Sequence, residues 1–197
     1  MQMEDLIELA KRVQAQQAEA QTVEVKAAHR GCPSKLRDTL SSFSNQNSGG
    51  ILLFGLDENE HFTAVGVYDL QDLQKKVTEQ CNQMQPPVRA LFTTAEYEGV
   101  WICSAEIPSI AYAERPCYYI GAGIQNGSYV RVGDADRHMT DYEIYCFEAY
   151  RNHMHDDERV IERATIDFLD KDLLNAFLTE RRISRPQFAQ MNDVQAM

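Results

Sequence analysis

Three acidic residues near the ends of two expected strands have the types and spacing for metal chemistry. Glu24 lies in an alternating segment at residues 22–26, and Glu19 precedes it by five positions. Asp57 follows the apolar run at residues 51–54. Clustered carboxylates hold a hard divalent cation, which orients water and stabilises charge on a phosphate. If the two strands lie side by side, the three acids become a candidate metal site.

The same residues also have a purely structural interpretation. Glu24 and Lys26 lie on one face of the expected strand, opposite Val23 and Val25, and could form an exposed surface pair. Asp57 precedes the polar residues 58–60 and could be a turn residue. The sequence leaves both interpretations open.

The flanking pattern predicts the elements that position these acids. Helical spacing of apolar residues predicts a helix near the N-terminus, before the strand at 22–26. A second helix is expected from Pro33 and Ser34, with Ser34 as its cap, and a break at residues 45–50. There, Gly49 and Gly50 allow backbone conformations closed to other residues. The continuous apolar run at 51–54 predicts a strand covered on both faces.

Further elements are expected downstream. The pattern predicts a short strand within 62–67 that pairs with 51–56, and a helix from Leu70 to Met84 that stops before two prolines. Residues 88–97 and 100–107 predict a hairpin with Trp101 in its core, and 117–120 with 128–132 predict a second. Thr140 and Glu143 form a capping box that opens a helix to about residue 152, and 158–182 are expected to be helical.

Composition limits the class of protein. The chain has 197 residues, of which 44% are hydrophobic and 25% charged, as in a globular protein with one domain and an appendage. The five cysteines contain no CxxC pair, so the sequence predicts neither a zinc site nor a disulfide framework. No apolar run reaches membrane-spanning length, and no signal-peptide pattern is seen. We therefore expect a cytoplasmic protein with no membrane partner.

The charge distribution bears on nucleic-acid binding. A net charge of −11 counts against phosphate binding over the whole surface, but a domain can be basic locally. Lys26, Arg30, Lys35 and Arg37 have no acid between them, and the fold could bring later arginines near. The candidate nucleic-acid-binding residues are Lys26, Arg30, Lys35, Arg37, Arg131 and Arg137. The alternative is that these are ordinary solvated charges.

Arg131 is the strongest single candidate for a phosphate or inter-strand contact. It alternates with Val130 and Val132, so it is expected to face away from both valines. Its alternative role is an ion pair with Glu24 or Asp57, which would make it structural.

A series of motifs resembles the AlbA_2 domain family, which includes the Schlafen AlbA_2 domain and the divergent AAA-4 DNA-binding domain of bacterial transcriptional regulators. The motifs, in order, are VEVK at 23–26, SFSN at 42–45, Gly49-Gly50, FGLD at 54–57, RPCYY at 115–119, SYVRVG at 128–133 and TDYE at 140–143. The match runs from about Glu19 to Tyr150. Two departures are Val25 in place of the usual aromatic residue and a turn before Gly49 that is one residue longer.

The resemblance implies a fold and a domain organisation. It implies an α+β domain, a two-layer mixed sheet with covering helices, over residues 1–155. Residues 156–197 are then a C-terminal helical extension or a linker, because further domains follow this domain in regulators of the family.

The resemblance also implies a function. The first of three alternatives is the DNA-binding domain of a transcriptional regulator, which is not an enzyme and needs no cofactor. In this alternative DNA is favoured over RNA as the ligand, and the chain could form a homodimer. Nuclease members of the Schlafen group carry three acids in this pattern. By that analogy Glu19, Glu24 and Asp57 would bind Mg²⁺ or Mn²⁺ in a metal-dependent endoribonuclease, with Lys26 neutralising the phosphate. A third alternative is a protein-interaction or dimerisation module without nucleic-acid affinity.

Overall fold

The computed structural model describes residues 1–152 and 168–188, and the chain divides into two compact units, Met1–Met154 and His155–Met197. The helices of the first unit are α1 (Met3–Gln16), α2 (Arg37–Asn45), α3 (Leu70–Cys81), α4 (Gly123–Gly127) and α5 (Asp141–Arg151). Its strands are β1 (Val23–Lys26), β2 (Gly50–Phe54), β3 (Leu56–Asp57), β4 (Thr63–Ala64), β5 (Met84–Gln85), β6 (Leu91–Tyr97), β7 (Val100–Ile107), β8 (Tyr118–Tyr119), β9 (Tyr129–Val132) and β10 (Ala135–His138).

A four-stranded mixed sheet is the centre of this unit, in the order β1-β2-β7-β6. β1 runs parallel to β2, with Glu24 opposite Leu52, whereas β7 is antiparallel to both β2 and β6. The expected hairpin of β6 and β7 is confirmed. The strands predicted at 22–26 and 51–54 correspond to β1 and β2, and they lie side by side.

Helices cover both faces of the sheet. α1 packs on one face over Val23, Val25 and Leu53, while α2 and α3 pack on the other over Leu52 and Phe54. The continuous apolar run of β2 is therefore buried on both sides, as predicted. The mixed α+β class is confirmed, and α1 adds a third layer to the two that were expected.

The predicted hairpin between 117–120 and 128–132 is wrong. β8 pairs instead with β5, and β9 pairs with β10, which follows it directly. One isolated bridge, Tyr118 to Ser128, joins the two predicted partners. Gly133, with φ of +66°, closes the β9–β10 turn, and closing so short a loop costs less entropy than the longer connection.

Three local predictions also need correction. α2 begins at Arg37 after Leu36, so Ser34 does not cap it. α3 ends at Cys81, and Met84 belongs to β5. The Trp101 side chain is 49% exposed, because it lies on the α2–α3 face of β7 beyond the core residues of that strand.

The capping box of Thr140 and Glu143 is present as predicted. No helix among the described residues is long and apolar enough to cross a membrane.

The second unit contains α6 (Lys171–Ser184), followed by a short 3-10 turn at Pro186–Phe188. Asp170 caps α6 by accepting hydrogen bonds from the backbone N–H groups of Asp172 and Leu173. The helix predicted over 158–182 is thus seen from residue 171 onwards. Its earlier part, residues 158–167, lies outside the described residues.

Candidate nucleic-acid interface

Arg131 is the centre of a buried ion cluster rather than a surface cation. Its side chain is 1% exposed, and its guanidinium lies 2.8 Å from Glu24 Oε2, 3.0 Å from Asp136 Oδ1 and 3.7 Å from Glu19 Oε2. The guanidinium also donates a 3.4 Å hydrogen bond to the Val23 carbonyl and lies 5.3 Å from the centre of the Phe43 ring. A guanidinium so enclosed does not face solvent.

The strand pattern explains how these groups meet. Arg131 on β9 is directly opposite Asp136 on β10, so both side chains lie on one face of this hairpin. Asp136 accepts hydrogen bonds from Thr39 Oγ1 at 2.7 Å and Ser42 Oγ at 2.6 Å, both on α2. The cluster therefore attaches the hairpin to α2 through Asp136 and to the edge strand β1 through Arg131.

The sequence predicts a phosphate or inter-strand contact for Arg131, or an ion pair with Glu24 or Asp57. The structure shows the inter-strand contacts, as ion pairs with Glu24 on β1 and Asp136 on β10, and the buried guanidinium faces no solvent. Arg131 does face away from Val130 and Val132, but its face is the buried one and Val132 is exposed. Burial lowers the pKa of Arg131, yet the carboxylates of Glu24 and Asp136 outweigh this and raise it. The guanidinium is charged at all relevant pH values.

Glu19 is the most perturbed acid of the cluster. Burial raises its pKa from 4.5 to about 7, and the like charges of Glu24 and Glu58 add to the rise. A 2.7 Å hydrogen bond from the Val25 backbone N–H to Glu19 Oε1 opposes it, as does the charge of Lys26. Near neutral pH, Glu19 is therefore divided between its protonated and its ionised form.

The three acids that the sequence suggests as a metal site each contact other protein groups. Glu24 forms ion pairs with both Lys26 and Arg131. Asp57 Oδ1 accepts hydrogen bonds from the backbone and side-chain nitrogens of Asn59, at 3.0 and 3.3 Å. Within residues 1–152 and 168–188, no group of three or more His, Cys, Asp or Glu side chains is placed to hold a metal ion. Arg131 lies against two of these carboxylates, those of Glu24 and Glu19, and metal binding by the three acids stays a prediction.

The SFSN and glycine motifs have structural roles. The Asn45 amide donates to the carbonyls of Cys117 and Tyr129 and accepts from the Cys117 backbone N–H at 2.7 Å. Gly49 has φ of +65°, and a side chain on Gly50 would overlap the Phe43 ring. These residues hold α2 against β2, β8 and β9.

The predicted basic residues are dispersed. Lys26 pairs with Glu24, whereas Arg30 and Lys35 are exposed in the loop between β1 and α2. Arg37, at the start of α2, places its guanidinium 4.8 Å above the centre of the Tyr119 ring and 3.7 Å from Asp38. Arg137 is exposed, but strand alternation puts it on the opposite face of the hairpin from Asp136. The structure thus leaves Arg30, Lys35 and Arg37 as the accessible basic group before and in the first turn of α2.

Aromatic side chains that sequence reasoning missed lie beside Arg37. The rings of Tyr129 and His138 are 4.3 Å apart at 33°, and the Tyr129 hydroxyl is 3.2 Å from His138 Nε2. The Tyr129 backbone N–H donates to Ser41 Oγ at 2.8 Å, so Tyr129 lies against α2. Burial and the charge of Asp38 raise the pKa of Tyr129, while Arg37 acts in the opposite direction. We call Arg37, Tyr119, Tyr129 and His138 the aromatic–basic surface. Alternation with Arg131 is the sequence signal that could have placed Tyr129 on the α2 side.

The sequence matches a known family, and the fold is similar to a solved structure. The family model described as Schlafen, AlbA_2 matches residues 19–140. The N-terminal domain of a protein related to the ATP-dependent DNA helicase RecG, from Nitrosomonas europaea, is similar in structure. The TM-score is 0.53 at 22% identity, over 68% of this chain and 93% of that one. The DIP2311 protein from Corynebacterium diphtheriae aligns at a TM-score of 0.48 and 19% identity, over 96% of this chain and 35% of that one. No curated protein matches the sequence. Since the family model covers more than half of the sequence, the chain belongs to the Schlafen AlbA_2 family.

Proposed function

We propose that the first unit binds nucleic acid, DNA in preference to RNA, as the recognition domain of a transcriptional regulator. The observation that carries this proposal is the aromatic–basic surface, where Arg37 lies over Tyr119 beside the Tyr129–His138 pair. Membership of the AlbA_2 family supports it, and so does the fold shared with a domain of a protein related to a DNA helicase.

The surface combines the two contacts that nucleic acid offers. Arginine binds phosphate oxygens with a planar pair of donors, and aromatic rings stack on bases. Arg30 and Lys35 are exposed close by in sequence and supply further positive charge. The remainder of an acidic chain, with a net charge of −11, repels the polyanion and so confines binding to this patch.

Fluorescence anisotropy with labelled DNA and RNA of matched sequence tests the proposal. We expect binding that weakens as salt rises, and a loss of affinity in Arg37→Ala. The matched control is Arg89→Ala, which removes an exposed arginine whose side chain bonds Asn82 in another part of the unit. Removing one duplex phosphate contact should lower the slope of log K against log salt by about 0.9. Equal affinities of the two variants would refute this site.

The same samples can be used to test the other two functions expected from the sequence, a ribonuclease and an interaction module. Incubation in Mn²⁺ or in EDTA, followed by a denaturing gel, reports cleavage. A ribonuclease would give fragments in Mn²⁺ alone, and Glu24→Ala would abolish them. No contact in the described residues favours this outcome, because Glu24 is engaged by Arg131 and Lys26. Light scattering reports the oligomeric state, and a dimer without nucleic-acid affinity would favour an interaction module.

A further inference from the structure

We infer that the aromatic–basic surface recognises unpaired bases, so that the ligand is a single-stranded segment rather than an intact duplex. This inference rests on the proposed nucleic-acid binding and specifies the class of ligand for the same site.

The ring pair at the end of the β9–β10 hairpin is the first observation. Tyr129 and His138 are cross-strand partners whose rings lie 4.3 Å apart at only 33°, so the pair is close to stacked. Tyr129 covers one side of the imidazole, and His138 is exposed. An exposed ring stacked on a supporting ring provides a flat platform of the kind that takes a base.

Arg37 provides a second flat group beside the first. Its guanidinium lies 4.8 Å above the centre of the Tyr119 ring, and its side chain is 40% exposed. A guanidinium backed by an aromatic ring is held flat, and its outer side can stack on a base or bind a phosphate. Two such platforms beside the first turn of α2 suit successive bases of one strand.

The small amount of accessible positive charge favours a single strand over a duplex. In a duplex the base faces are hidden, so affinity depends mainly on phosphate contacts and hence on dense positive charge. Arg131 is buried among carboxylates, Lys26 is paired with Glu24, and Arg137 lies on the other face of the hairpin. The accessible positive charge is therefore small, and stacking on unpaired bases adds affinity that does not come from phosphate contacts.

The platform is also held in place before any ligand arrives. Tyr129, Arg131, Asp136 and His138 share one face of the hairpin, and the buried ion pairs of Arg131 attach that face to β1. The Tyr129 backbone N–H donates to Ser41 Oγ at 2.8 Å, which attaches it to α2. A rigid platform loses less entropy on binding than a mobile one.

The test compares one strand with its own duplex. A fluorescein-labelled twelve-nucleotide DNA strand of mixed sequence, alone or annealed to its complement, is titrated with the full chain. We expect the single strand to bind at least about tenfold more tightly. His138→Asn should weaken single-strand binding about fivefold or more, since base stacking on one ring contributes that much. His61→Asn is the matched control, since His61 is also exposed and Asn tolerates its positive φ of 54°.

A second readout reports stacking directly. A strand carrying 2-aminopurine should lose fluorescence on binding, and His138→Asn should restore part of it while His61→Asn does not. If the duplex binds as tightly as the strand, or if His138→Asn has no effect while Arg37→Ala weakens both ligands, this inference fails and the proposed function stands. If neither ligand binds, both fail.

Discussion

Replacing Glu19 with Gln should change how the stability of the first unit depends on pH. Glu19 is buried beside Glu24 and Glu58, and its pKa is raised from 4.5 to about 7. Glutamine resembles the protonated acid and can still accept the hydrogen bond from the Val25 backbone N–H. We expect the variant to match the wild type near pH 4, below the unfolded-state pKa of 4.5, and to be the more stable protein at pH 8.

The direction and size follow from proton linkage. A raised pKa means that the folded chain retains a proton that the unfolded chain has released, so stability falls as pH rises from 4.5 to about 7. A pKa difference of this size contributes up to roughly 3 kcal/mol to the free energy of unfolding. This contribution is fully lost at a pH above both pKa values. At pH 8 the advantage of Glu19→Gln should therefore approach roughly 3 kcal/mol.

Urea unfolding at five pH values between 4 and 8, at constant ionic strength, measures this difference. Subtracting the wild type from Glu19→Gln cancels the titration of groups that both proteins share. Glu8→Gln is the control, because Glu8 is exposed on α1. A difference that stays constant with pH would show that the pKa of Glu19 is the same in the folded and unfolded chain, and would refute the reasoning. A variant that is less stable at pH 8 would show that attraction to Arg131, 3.7 Å away, outweighs burial.

Three further substitutions should destabilise the first unit, each measurable by urea unfolding. Arg131→Met should lower the free energy of unfolding by about 3–5 kcal/mol, because it leaves Glu24 and Asp136 buried without their cation. A loss below about 1 kcal/mol would mean that water replaces the guanidinium in the cluster. Asn45→Ala should cost about 1–3 kcal/mol, since the buried Cys117 backbone N–H loses its acceptor; an unchanged midpoint would contradict this. Gly50→Ala should cost about 1–3 kcal/mol because the Phe43 ring must move, and a neutral result would mean that the ring has room.

Elements whose signals are local could be predicted from the sequence. The capping box at Thr140 and Glu143 needs only four consecutive residues, and the β6–β7 hairpin needs only a tight turn between two strands. The continuous apolar run of β2 predicts burial on both faces because any strand with one solvent face would alternate. The order of family motifs supplied the fold class that these local patterns leave open.

The candidate site depends on contacts between distant parts of the chain, which local patterns do not contain. Alternation separates Arg131 from Val130 and Val132, but it does not say which face is buried, and hydrophobicity favours the valines. The outcome is the reverse for Val132, which is 53% exposed, because three carboxylates from different segments surround Arg131. The cost of burying a charge is offset only where such partners meet.

The charges of this cluster are consistent with the raised pKa of Glu19. Arg131 and Lys26 carry two positive charges, and Glu24 and Asp136 carry two negative ones. Burial is the main cause that raises the pKa of Glu19 to about 7, and the negative charges of Glu24 and Glu58 add to it. The contacts of Arg131 with Glu24 and the Val23 carbonyl attach the β9–β10 hairpin to β1. Because Tyr129 and His138 share the Arg131 face of that hairpin, the buried cluster is what places the proposed stacking platform.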